Sequence, residues 1–262
     1  LAIDILLYIE VITYGELKNL TKNDIMNLCK NHGILKKETI IDFDNLEKMY
    51  DLFKEINLGG TAIGTGINAD PDFGRLATEA LAELTGIDFK LAPNLIEATP
   101  DTGAFITFSS TLKRSAVKIS KICNDLRLLS SGPRTGFGEI NLPPMQPGSS
   151  IMPGKVNPVI PEVMNQIAYQ VIGNDLTITM AAESGQLQLN VMEPIIVFNT
   201  FQSLKILENG IRTLTHKCVD GITANREHCE RQVLNSIGLV TALNPYIGYE
   251  NSASIAKEAL EK

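Results

Sequence analysis

The sequence predicts an all-α protein, an elongated helical bundle with a small helical C-terminal domain, and three observations carry that expectation. Apolar residues recur in steps of three and four over long stretches, alternating strand patterns are scarce, and Gly/Pro-rich loops separate the periodic segments. Such seams, packed at shallow crossing angles, are how bundles build a core. A length of 262 residues with 44% apolar side chains is ample for one large domain or two modest ones.

The first seam is Leu112, Ala116, Ile119, Cys123 and Leu126, which predicts a long helix stopped by Ser131-Gly132-Pro133. A second is Leu204, Leu207, Ile211, Leu214 and Cys218. A third, Val163, Ile167, Val171 and Leu176, is expected to start after Pro161, because proline is tolerated in a first helical turn. Upstream, Gly59 to Gly66 and Asn68 to Gly74 form a glycine-rich turn region. Past Cys218 the segments shorten, with turn signals at Asn225 and Asn244-Pro245 and a last helix from about Ser252 to Lys262. The expected organisation is a helical segment over 1–54, a central bundle over 55–217 and a C-terminal helical domain over 218–262.

Charge and cysteine usage exclude several function classes. A formal net charge of -7 and a pI near 5.1, with scattered Lys and Arg, argue against a nucleic-acid surface. Cys29, Cys123, Cys218 and Cys229 lack CxxC spacing and sit in periodic apolar segments, so they read as reduced core thiols, as in a cytoplasmic protein. Leu1 to Ile12 is apolar but too short for a membrane span, is interrupted by Asp4 and Glu10, and has no basic flank, so neither a signal peptide nor a membrane helix is expected. The glycine run Gly59 to Gly66 lacks the Lys-Ser/Thr of a P-loop and the strand-turn-helix setting of a dinucleotide site, so nucleotide binding is rejected.

The long loop from Arg134 to Pro158 is rich in proline and glycine and cannot be one regular element, which makes it a candidate for function. Its second half reads GSSIMPGKVNP, Gly148 to Pro158. Gly148 and Gly154 permit close backbone approach, Ser149 and Ser150 carry hydroxyl donors, Lys155 adds a positive charge and Asn157 an amide. Donors aimed at a charge that grows during reaction stabilise the transition state more than the ground state, so the set suits an anionic substrate. An exposed connector with one lysine accounts for the composition equally well.

This eleven-residue run resembles, at all its positions, the signature loop of the aspartase/fumarase superfamily of lyases. INLGGTAIGTGIN (Ile56 to Asn68), SKICNDLRLLSSGPRTG (Ser120 to Gly136) and NDLTITMAAESGQLQLNVMEP (Asn174 to Pro194) resemble aspartase segments in the same order and spacing, and the match runs from about Glu55 to Lys262. The resemblance implies a lyase that eliminates ammonia from L-aspartate to give fumarate through an aci-carboxylate intermediate; no cofactor is assigned, and no residue is assigned to a metal. It implies Ser149 as the base, with Lys155, Asn157 and Ser150 binding substrate carboxylate. Glu162 falls where the family places a carboxylate paired with a histidine of another subunit, although an acid after Pro161 also suits a helix N-terminus on its own. Asn190 either lines the same cleft or caps a turn. VNPVIPEVMNQ and QLQLNVMEP favour aspartase over class II fumarase, in which a Thr-Gln-Cys-Glu run is more typical after the Asn-Pro.

The resemblance also sets limits. The family builds each site from three sequence regions contributed by different subunits of a tetramer, and only the last is recognisable here. No Ser-Ser-x-Ser-Thr-Asn-Asp-like or Gly-Arg-Thr-His-like run is present, and His32, His216 and His228 lie outside matching contexts, so each reads as a surface or helix-end residue. A partial subunit, active only when other subunits complete it, is therefore expected, with a non-catalytic helical scaffold as the rival. Ile25 to Met49 resembles the family's extreme C-terminus, out of order, and reads equally well as two amphipathic helices around Gly33.

Overall fold

The computed structural model describes Met49, residues 51–132 and residues 134–261. The helix pair expected around Gly33, Cys29 and His32 lie outside the described residues. The elements in chain order are β1 (Glu55–Ile56), α1 (Phe73–Thr85), β2 (Lys90–Leu91), α2 (Leu95–Ala98), α3 (Gly103–Leu129), β3 (Ile140–Asn141), α4 (Val159–Glu183), α5 (Glu193–Lys217), a 3-10 turn at Val219–Gly221, β4 (Thr223–Ala224), α6 (Arg226–Leu234), a 3-10 stretch Ile237–Leu243, α7 (Asn244–Ile247) and α8 (Tyr249–Glu261). The fold is all-α in character, since every described strand is only two residues long. β1 pairs in parallel with β2, and β3 pairs antiparallel with β4.

Three helices dominate. α3 has 27 residues and α4 and α5 have 25 each, so at 1.5 Å per residue the bundle is about 40 Å long. α4 packs against both of the others. Local signals set their ends. α3 closes at Ser130, whose N–H reaches the Leu126 and Leu128 carbonyls, and Gly132 follows with φ +137°. α5 opens with Pro194 in its first turn behind Glu193 and ends with Lys217, two charges that suit the two ends of the helix dipole.

The main core is formed where the three helices meet. Ala116, Ile119, Cys123 and Leu126 of α3 pack with Met164, Ala168 and Val171 of α4 and with Leu207 and Leu214 of α5. Ile140 and Cys218 close its lower end. A second cluster at the far end joins Ile178, Ala181 and Ile196, with Phe105 against them. Gly210 lets α5 approach α4 closely, because a Cβ there would come 2.7 Å from the Ile167 side chain and 2.9 Å from the Met164 sulfur.

The first expected seam is the observed one, with Leu112 partly buried at its edge. The other two are shifted. Val163 and Leu176 of the third seam are exposed, as is Leu204 of the second, while the buried positions include Asn165, Asn174, Asp175, Asn199 and Ser203. The physical reason is that a large part of the inner face is polar and hydrogen-bonded. Asn165 Nδ2 donates to Ser120 Oγ (2.8 Å) and the Ser120 carbonyl (3.0 Å), Asn174 Nδ2 donates to Ser203 Oγ (3.0 Å) and Gln202 Oε1 (2.9 Å), and Asp175 accepts from Ser109 Oγ (2.8 Å) and pairs with Lys113. Among the described residues no buried side-chain N or O lacks a partner. α4 begins at Val159 rather than after Pro161, and Asn244-Pro245 opens the short α7 instead of a turn, both because proline fits a first helical turn.

The candidate loop and its supports

The second half of the long loop projects from the junction between β3 and α4 with no regular structure between Asn141 and Val159. Gly148 N–H donates to the Lys155 carbonyl at 2.9 Å, Lys155 N–H donates to the Met152 carbonyl at 3.3 Å, and Asn157 Nδ2 donates to the Gly148 carbonyl at 3.1 Å. Together these fold residues 148–157 back on themselves. A Cβ at position 148 would lie 2.5 Å from the Lys155 carbonyl oxygen, so only glycine allows the two limbs to approach this closely. Gly154, at φ +78°, makes the reversal at the tip.

Within this turn Ser149 is half-buried and its hydroxyl oxygen accepts from Ile151 N–H at 3.2 Å. That bond fixes the side chain and leaves the hydroxyl hydrogen and a further lone pair for a ligand. Ser149 and Lys155 line one open cavity of about 400 Å³, walled by Pro144 to Gly148 on one side and by Met152, Gly154 and Val156 on the other. Lys155 is exposed, and among the described residues no carboxylate pairs with it. The other three expected residues do not line this cavity. Ser150 is exposed beside it, Asn157 uses its amide to hold the Gly148 carbonyl, and Glu162 is half-buried in the first turn of α4 with no side-chain partner among the described residues.

Asn190 turns out to be structural. Its buried amide donates to the Ala181 and Ala182 carbonyls and accepts from Met192 N–H at 2.9 Å, bridging the end of α4 to the start of α5. His216 is exposed beside Asp220, and His228 is half-buried on α6 with Nε2 on the Phe137 carbonyl at 2.7 Å. Among the described residues no three His, Cys, Asp or Glu side chains gather as a metal set. Cys123 and Cys218 are buried and free. Burial, reinforced by its nearness to Cys218, pushes the Cys123 thiol up to about 12, and burial pushes Cys218 up to about 11, so neither offers a thiolate near neutral pH. Cys229 is only partly buried. The contacts of Asn141, Asn225 and His228 around the base of the loop were not foreseen, because residues 82 to 91 positions apart give no periodic signal.

The model of a lyase family matches residues 39–173, more than half of the chain, and a model of the fumarase C C-terminus matches residues 239–262. The chain belongs to the lyase family. It is 66% identical over 221 residues to an aspartate ammonia-lyase from Pseudomonas aeruginosa, an alignment that covers 84% of this chain and 47% of that protein. A fumarate lyase:delta crystallin from Brucella melitensis, solved bound to cobalt, superposes with a TM-score of 0.81 at 49% identity over 99% of this chain and 59% of that one. A class II fumarase from Schistosoma mansoni superposes with a TM-score of 0.82 at 31% identity, covering 98% of this chain and 59% of that one. This lyase chain spans about half the length of the curated relatives it matches.

Proposed function

We propose that the chain is part of an aspartate ammonia-lyase subunit and that its loop 148–158 binds the dicarboxylate L-aspartate and starts its conversion to fumarate. One observation carries the reading: Ser149 and Lys155 face one open cavity in a loop pinned by Gly148 and Asn157, in a chain 66% identical to an aspartate ammonia-lyase. In this reading Ser149 Oγ takes the proton from C3, and the electron pair left behind moves into the adjacent carboxylate. The resulting aci-carboxylate carries an additional negative charge, which Lys155 in the cavity meets, with the Ser150 hydroxyl and the second N–H of Asn157, outside the cavity in the free chain, reaching it once the loop closes on the substrate. As the electrons return, the C2–C3 double bond forms and ammonia leaves C2. A neutral serine hydroxyl is too weak a base, so Ser149 acts as its alkoxide after losing its proton to solvent, and Lys155 together with loop backbone amides stabilises that negative oxygen.

Glu162 does not line the cavity, and we assign it a role beside a histidine from a neighbouring subunit. A homotetramer in the cytoplasm is the assembly we infer. Tyr169, Leu176 and Met180 on α4 and Phe198 and Phe201 on α5 are exposed, and large apolar side chains on neighbouring helices are what a subunit interface would cover. Among the described residues no helix is long and apolar enough to cross a membrane.

The test is fumarate absorbance, followed from aspartate and separately from malate, with the chain alone and with full-length subunits of a relative whose own loop serine is replaced by alanine. Release from aspartate in the mixture is the expected result. Preference for malate would move the assignment to a class II fumarase, which the fit to the Schistosoma mansoni enzyme and the match at residues 239–262 make the second reading. Silence with both substrates in a mixture proven to co-assemble would leave a helical scaffold.

A further inference from the structure

We propose that Asn225 and His228 are positioning residues that clamp the base of the signature loop and thereby set where Ser149 points. Three consecutive carbonyls just ahead of the loop are held from the start of α6. Phe137 O accepts from His228 Nε2 (2.7 Å), Gly138 O accepts from Asn225 Nδ2 (2.7 Å), and Glu139 O accepts from the Asn225 N–H (2.9 Å) and from Cys229 Sγ (3.6 Å). Asn141 and Asn225 then exchange side-chain hydrogen bonds, Asn141 Nδ2 to Asn225 Oδ1 at 2.8 Å and Asn225 Nδ2 to Asn141 Oδ1 at 3.2 Å. The β3–β4 pairing completes the grip.

The clamp can act at a distance because three of the five residues from 143 to 147, between it and Gly148, are prolines. Pro143, Pro144 and Pro147 have fixed φ, so an orientation imposed at residues 137–142 is carried to Gly148 and Ser149 rather than dissipated. The tail also bears directly on this strut: a Cβ at Gly221 would come 2.5 Å from Pro143 Cγ. The other stem of the loop is the first turn of α4, which is fixed in the bundle. The tail beyond Cys218 therefore controls the one stem that is not built into a long helix. A displacement of about 1 Å in a reacting group is enough to lower a rate by orders of magnitude, so the clamp belongs to the loop's chemistry as well as to its fold.

The catalytic arm of the test rests on the lyase reading above, and the exchange arm does not. In hydrogen–deuterium exchange on the free chain, Asn225→Ala and His228→Leu should speed exchange at Gly148 to Lys155 by about tenfold, the effect of losing roughly one net hydrogen bond, with α3, α4 and α5 unchanged. His228→Gln, which keeps a donor near Nε2, should return exchange to the wild-type rate. In the mixed assembly, Asn225→Ala should lower kcat by about tenfold or more with a smaller change in KM, and His228→Gln should restore kcat lost in His228→Leu. If Asn225→Ala unfolds the chain, the Leu and Gln variants at 228 decide alone. Faster exchange confined to residues 137–141 and 223–232, with the loop untouched, would overturn the clamp. So would a kcat in Asn225→Ala equal to that of an active wild-type mixture. A wild-type mixture without turnover counts against the lyase reading only, and the exchange result then stands by itself.

Discussion

Asn165 on α4 and Asn157 in the loop are eight positions apart and carry the same side chain, yet they serve opposite surroundings. Asn165 is buried, with its amide on Ser120 and its Oδ1 accepting from Arg127 Nη1 at 3.3 Å. Asn157 makes one such bond, to the Gly148 carbonyl, at the edge of solvent. The contrast extends to the two regions. In the bundle, side chains from three helices satisfy one another, so each contact is supported by its neighbours. In the loop a few bonds fold the backbone and leave the reactive side chains, Ser149 and Lys155, unspent. The bundle holds its shape without substrate, whereas the loop keeps donors in reserve for one.

The contrast can be broken most sharply at Ser149. Ser149→Ala removes only a half-buried hydroxyl, so thermal unfolding should stay within about 0.5 kcal/mol of the parent. Fumarate release in the mixed assembly should fall roughly 1,000-fold, about 4 kcal/mol of transition-state stabilisation. Unchanged turnover would remove Ser149 as the base. Leu126→Ala is the mirror experiment. Leu126 is 1% exposed in the middle of the main core, so its truncation should cost about 3 kcal/mol by chemical denaturation. Exchange within the loop should not respond.

The same contrast explains what could be read from the sequence. The seam Leu112 to Leu126 was legible because Ala116, Ile119, Cys123 and Leu126 are all buried apolar side chains, so the step of three and four survives the buried Ser120 beside them. The seam beginning at Val163 was misplaced because α4 turns Asn165, Asn174 and Asp175 inward, and a pattern of hydrophobic residues cannot register a polar interior. The signature loop was legible for the opposite reason. Its residues are not interchangeable, since Gly148 admits no Cβ and Gly154 requires positive φ, so a close chemical need left a distinctive string. The clamp from Asn225 and His228 left no such string, as it joins single residues far apart in the chain.

Gly148→Ala sharpens the comparison from the loop side. The added methyl would meet the Lys155 carbonyl at 2.5 Å, so the limbs must separate. The Ser149–Lys155 cavity would widen, with an expected loss of about 30-fold in turnover, roughly 2 kcal/mol. Stability should barely change, because nothing in the bundle depends on that contact. An alanine variant with full turnover would show that the pinched form is dispensable.

The smallest effect belongs to the bundle and is read by pH. Cys123 and Cys218 stay protonated in the folded chain up to about 12 and about 11, against an ordinary value of 9.0. Their folded values are raised, so the stabilisation from burying neutral thiols is fully present below pH 9 and is lost as pH climbs toward those higher values, while the unfolded chain ionises first. The slope is at most roughly 1.4 kcal/mol per pH unit for each thiol. Urea midpoints measured at pH 8 and pH 10 should therefore differ, with the lower stability at pH 10. In Cys123→Ala the overall stability drops but that pH difference shrinks, because one of the two titrating groups is gone. A pH dependence identical in parent and variant would locate the alkaline sensitivity elsewhere, outside the core that Cys123 shares with Leu126.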